Sequence, residues 1–151
     1  MHFYYILLYP QLHLSMPAAI VTFDTVRKIG LALPDVEEGT MYGSPALKVH
    51  GRLLACLAIH KSAEPESLAV RTDFDERAAL LAEDPETYYL KDHYANHPVV
   101  LVRLSRIRVD QLRDLLRSAL RLIAAHERQK ISRRSVTGNR KAVRGRSSAR
   151  E

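Results

Sequence analysis

The dipeptide His50-Gly51 stands between two runs that suit β-structure, Ala46–Val49 and Arg52–Ile59. Glycine adopts the positive φ that a two-residue hairpin turn demands, so the pattern predicts two antiparallel strands joined tightly. In the first run Leu47 and Val49 alternate with Lys48, giving one apolar and one polar face. The second run is almost wholly apolar, as in a strand buried on both faces. Leu68–Arg71, Thr87–Leu90 and the β-branched run Val99–Leu104 complete the predicted strands.

Helices are predicted on either side and between. Thr22 is a suitable N-cap for a helix whose apolar face is Phe23, Val26, Ile29 and Leu33, with Pro34 ending it. The segment from Pro34 to Pro45, PDVEEGTMYGSP, reads as a loop. Asp73 and Glu76 stand three apart, as a capping box requires, before Leu80 and Leu81; Asp84-Pro85 ends that helix. A last helix runs from about Val109 to His126, with Leu112, Leu115, Leu116, Ala119, Leu122 and Ile123 as its stripe. The strands come in hairpins, not in repeated strand–helix–strand crossovers. The expected class is therefore α+β: an antiparallel sheet of hairpin-connected strands packed with helices at the N-terminus, in the middle and at the C-terminus.

The formal charge of +6, from 23 basic and 17 acidic residues, is unevenly spread. Residues 127–151 hold nine basic side chains against the acids Glu127 and Glu151, while residues 1–126 hold 14 against 15. The folded body is thus near neutral, and the whole excess lies in the last 25 residues. That segment has few apolar residues and is expected to be a disordered basic tail. Such an arm suits a polyanion, because each phosphate contact releases condensed counterions. The body is expected to span residues 16–126. Residues 1–15, MHFYYILLYPQLHLS, make a poor signal peptide, and translation is expected to begin at Met16; a peripheral apolar segment is the other reading.

The middle of the chain resembles the MmcQ/YjbR-like family of small bacterial proteins. Four stretches carry the resemblance. They are Leu33-Pro34-x-Val36-Glu37-Glu38; Tyr42-Gly43-x-Pro45-Ala46-Leu47-Lys48-Val49-x-Gly51-Arg52-Leu53; Leu68-x-Val70-x-x-Asp73 with Glu76-Arg77 and Pro85-Glu86; and His93-Tyr94 with His97-Pro98 before the Val99–Leu104 run. The similarity covers about Thr22 to His126. It implies a compact α+β domain and a double-wing mode of DNA binding, in which β-hairpins touch the duplex. On this sequence the hairpin carrying Lys48, His50, Gly51 and Arg52 would be one wing. The family often has aromatics at the positions of Leu47 and Leu53 and a tryptophan near Val99; this chain has no tryptophan.

Charged residues beside apolar strand positions are the candidates for phosphate contact. Lys48, Arg52, Arg71 and Arg103 would form a strip if they share a sheet face; otherwise they are the ordinary polar side of a half-buried sheet. His50 lies at the hairpin tip. Lys91 with His93, His97 and Tyr94 would make an anion-binding loop, or simply a structural one. Arg113, Arg117 and Arg121 read as a solvated stripe with Asp110 and Asp114 as local partners. Arg133, Arg134, Arg140 and Lys141 represent the tail.

Little points to catalysis. His93 and His97 have helical zinc spacing, but Pro98 disfavours a helix there and no third ligand follows. Asp35, Glu37 and Glu38 sit in a wet loop. Cys56, the one cysteine, lies in an apolar strand without a charged activator; it excludes an internal disulfide and suits a reducing cytoplasm. No metal, cofactor or membrane span is expected. The expected function is DNA binding through phosphates. The second reading is a non-catalytic module for a protein or small ligand, using residues 34–45 and 88–98 and a pocket lined by Tyr42, Tyr88, His93 and Tyr94.

Overall fold

The computed structural model describes residues 19–146, with side chains through residue 135. The expectations for residues 1–15, for Met16 and for the chain after residue 146 lie outside the described residues.

Ten elements follow in order: α1 Phe23–Leu31, β1 Val36–Met41, β2 Ser44–Val49, β3 Arg52–Leu57, β4 Ser67–Arg71, α2 Phe74–Glu83, β5 Tyr88–Tyr89, α3 Asp92–Ala95, β6 Val99–Arg103 and α4 Val109–Arg146. The strands form one six-stranded sheet in the order β1-β2-β3-β4-β6-β5, and every neighbouring pair is antiparallel. The α+β class follows directly.

The predicted hairpin is present. His50 and Gly51 take φ of 48° and 77° at its turn, the positive pair that a type I′ connection needs. A second hairpin of the same kind precedes it, and it corrects the loop expected over 34–45. Tyr42 and Gly43 take φ of 51° and 79°, and β1 pairs with β2 from Val36↔Val49 to Met41↔Ser44. β1 was hidden because it is an edge strand without a buried residue. Its exposed Glu37 and Glu38 are the kind of charge that keeps an edge from pairing with another chain. Pro45 also sits inside β2, opposite Thr40, where proline argues against a strand.

Local signals elsewhere hold in part. Asp73 caps α2 by accepting from the Glu76 amide at 2.7 Å. The Glu76 carboxylate serves another purpose: it accepts from Thr72 Oγ1 at 3.1 Å and from Ser118 Oγ at 2.6 Å, tying α2 to the residue that follows β4 and to α4.

One sheet face is covered by helices. Val26 of α1 and Leu112, Leu116, Ala119 and Ile123 of α4 pack with Leu47, Leu68, Val70, Val100 and Val102. Gly30 allows α1 to approach, since a Cβ there would meet Leu47 Cδ1 at 2.2 Å. The other face carries a row in cross-strand register, Gly39, Ala46, Cys56, Ala69, Leu101 and Tyr89. Met41, Leu53 and Tyr94 pack around it.

α4 does not stop at His126. It continues through Arg146, 38 residues in all, so the tail expected to be disordered is helical over most of its length. The physical reason is propagation. The packed first half supplies the costly nucleus, and each added residue then fixes little for one hydrogen bond. Arg, Lys, Gln and Ala are good helix formers and no proline interrupts them; Gly138 and Gly145 each cost about 1 kcal/mol relative to Ala.

Candidate functional site

The candidate cations fall into three places. The first is the β2–β3 hairpin. Arg52 pairs with Val49, an inward residue of the helix-covered face, so register puts Arg52 on that side. There its Nε lies 3.1 Å from Glu127 Oε1, and His50 Nδ1 lies 3.6 Å from Glu127 Oε2. The hairpin tip is therefore fastened to α4 where the basic segment begins.

The second place is the sheet face opposite α1 and α4. Lys48 lies opposite Glu37 of β1, and its stem passes Gly39: a Cβ on that glycine would be 3.5 Å from Lys48 Cδ. Arg71 ends β4 on the same face as Ala69. Its Nε is buried and has no hydrogen-bond partner among the described residues. Burial, and then the like charge of Arg52, hold its guanidinium below the usual arginine range. An arginine destabilised this way has an incentive to meet an anion.

The third place is the far end of that face. Arg103 pairs with Ser67, whereas Arg71 pairs with Val99, so the two arginines are four strand positions apart, about 13 Å. Arg103 is already satisfied. It donates to both Glu64 oxygens at 2.6 and 2.8 Å and to the carbonyls of Pro85 and Glu86 at 3.0 Å, with its guanidinium over the Tyr89 ring. The Glu64 hydrogen bond raises its pKa further. Lys91 Nζ lies 5.9 Å from the same ring. The expected strip is thus corrected: Lys48, Arg71 and Arg103 share a face, Arg52 does not, and Arg103 is part of the scaffold.

Beyond the hairpin, Arg128, Lys130, Arg133 and Arg134 are exposed on α4, and positions 140 and 141 continue the same helix. The Arg113–Arg121 stripe has one of its expected partners, Asp114 at 3.9 Å from Arg117; Asp110 bonds Arg108 instead.

The histidines also rearrange. His93 stacks on His60, with ring centroids 3.6 Å apart and planes at 3°, and Tyr94 meets both edge-on. His60 was not singled out by sequence, because only the fold brings its loop onto α3. Burial first, then His93 and Lys61, lower its pKa. Among the described residues no group of three His, Cys, Asp or Glu could hold a metal. The pocket imagined from Tyr42, Tyr88, His93 and Tyr94 does not form. Tyr42 is 90% exposed at its hairpin tip, Tyr88 belongs to the helix-side core, and Tyr94 packs on the opposite face. Cys56 is buried, and burial pushes its thiol pKa up. No described helix is long and apolar enough to cross a membrane.

Comparison with known proteins agrees with the fold. The YjbR family model matches residues 31–122. A solved structure with a similar fold is the crystal structure of Deinococcus radiodurans protein DR2400, whose domain is DUF419. It has a TM-score of 0.57 and 22% sequence identity, over 69% of this chain and 79% of that one. No curated protein matches the chain.

Proposed function

Because the chain belongs to the YjbR family, we propose that its business is DNA binding through phosphates, without catalysis. The observation that carries this reading is a charge run on one continuous helix. Between Arg128 and Arg146, α4 holds eight basic residues and no acid. Polyanions favour such a segment through counterion release. Glu127 fastens its root to the hairpin that the family resemblance names as a wing. The body would add Lys48 and the under-solvated Arg71 from the sheet face opposite α4. The lone Cys56, kept as a thiol, supports a cytoplasmic setting.

The test is duplex DNA titrated, at low and at physiological salt, with the full chain and with a chain ending at Glu127. Binding by the full chain that weakens steeply with salt is the expected result. If neither form binds at low salt, the reading is wrong. If only the full chain binds, α4 is the binder and the hairpin wing contributes nothing measurable.

A further inference from the structure

The loop after β3 meets α3 in a pile of rings on the sheet face opposite α4, where Tyr94 packs. His60 of the loop and His93 of α3 lie parallel, with centroids 3.6 Å apart and planes at 3°. The Tyr94 centroid is 4.9 Å from His93 and 6.3 Å from His60, and its plane is nearly perpendicular to both. Those three distances set an angle of about 94° at His93, so Tyr94 stands at the edge of the stack and not above it. His97 is 6.3 Å from His93 and tilted by 48°, too far to lie flat on the ring. His60 therefore covers one face of His93, and the other face is turned to solvent: His93 is exposed, whereas His60 is half-buried. Ser62 fixes the lower ring. Its amide donates to His60 Nδ1 at 3.2 Å, and its hydroxyl lies 2.7 Å from the same nitrogen. A ring held in this way loses little freedom when a flat ligand settles on it.

We propose that the open face of His93 is a stacking site for an unpaired nucleobase of a single-stranded nucleic acid. This goes beyond duplex binding through phosphates, because a base within a duplex has both faces covered by its neighbours. Histidine is among the side chains on which unpaired bases stack, and every base has a π-face to offer. The charge nearby suits the phosphates of such a strand. Lys61 and Lys91 are both exposed. Lys61 is close enough to His60 for its charge to be felt there, and Lys91 Nζ lies 5.9 Å from the Tyr89 ring. The acids nearby are Asp92, which is exposed, and Glu64, which Arg103 already holds. An aromatic side chain of a protein partner would match the ring but would bring no phosphate for the lysines.

The experiment uses the full chain, a short oligothymidine strand and an abasic strand of the same length, followed by fluorescence anisotropy at one salt concentration. The two strands carry equal charge, so contacts to phosphates cancel in the ratio of their affinities. The native chain is expected to bind the thymidine strand about ten-fold more tightly than the abasic one. His93→Ala should bring that ratio close to one, and His93→Tyr should restore it. Equal affinity of the native chain for the two strands, or no binding of either, would overturn the proposal. That comparison needs no variant and decides even if His93→Ala fails to fold. A ratio unchanged in a folded His93→Ala protein would also overturn it. Displacement of the strand by an equal concentration of free thymidine monophosphate would overturn the strand in favour of a mononucleotide. A base preference without duplex binding would uphold this site and sink only the duplex reading.

Discussion

Arg52 and Glu127 join the second hairpin to the root of the basic helix, Nε to Oε1 at 3.1 Å. His50 lies near the same carboxylate. The contact is small, but it puts the hairpin tip beside the root of the basic stretch of α4. It also ties up Arg52, a cation that sequence assigned to DNA.

Glu127→Gln tests that reading. Both partners are about a third exposed, so the pair should be worth no more than about 1 kcal/mol of stability. Duplex affinity should rise, because the substitution removes a negative charge and releases Arg52. Urea denaturation and fluorescence anisotropy measure the two effects. Weaker DNA binding by the variant would mean that Glu127 positions the interface instead of restraining it.

Arg71→Met separates a structural arginine from a binding one. The native Nε is buried without a hydrogen-bond partner among the described residues, and an unmade hydrogen bond there carries a cost of about 1–3 kcal/mol. The variant should therefore be as stable as the native chain, or more stable by about 1 kcal/mol. Its DNA affinity should drop a few-fold, with a salt slope lower by about 1. Loss of stability with unchanged affinity would place Arg71 in the scaffold.

Glu76→Ala should do the opposite. It strips an acceptor from Thr72 and Ser118 and the link between α2 and α4 with it. A loss of about 1–3 kcal/mol is expected. Salt-dependent DNA binding by the protein that remains folded should be unaltered.

The His60–His93 stack predicts a pH effect. The folded-state pKa of His60 lies below its ordinary value of 6.5, because of burial and then the neighbouring His93. The unfolded chain therefore takes up more protons between the two values, and stability falls as pH drops below about 6.5. Denaturation midpoints at about pH 7.5 and 5.5 should differ in that direction, and His60→Gln should narrow the gap. An unchanged gap in the variant would assign the pH dependence to other groups.

Much of the framework is written locally. Gly51 permits one turn, Asp73 caps one helix, and the spacing from Leu112 to Ile123 defines the face of another. These features depend on backbone dihedral preference and on side-chain period, which neighbours in sequence decide. β1 was not legible, because an edge strand has one partner and needs no apolar run. The helix beyond Glu127 was missed for a related reason. Composition speaks against an isolated basic helix, whereas α4 grows from a nucleus that packing has already formed.

The sequence by itself determined that an antiparallel hairpin sheet would form, that helices would cover it, and that the charge excess would gather at one end. Only the tertiary structure decided which cations share a surface. The pairing of β2 with β3 shifts register between Leu47 and Lys48, and strand parity then sends Arg52 toward α4 and leaves Lys48 on the opposite face. Side-chain direction in a sheet alternates with every residue, so one irregular position reassigns each residue after it. That choice belongs to pairing across the sheet, and no short stretch of sequence records it.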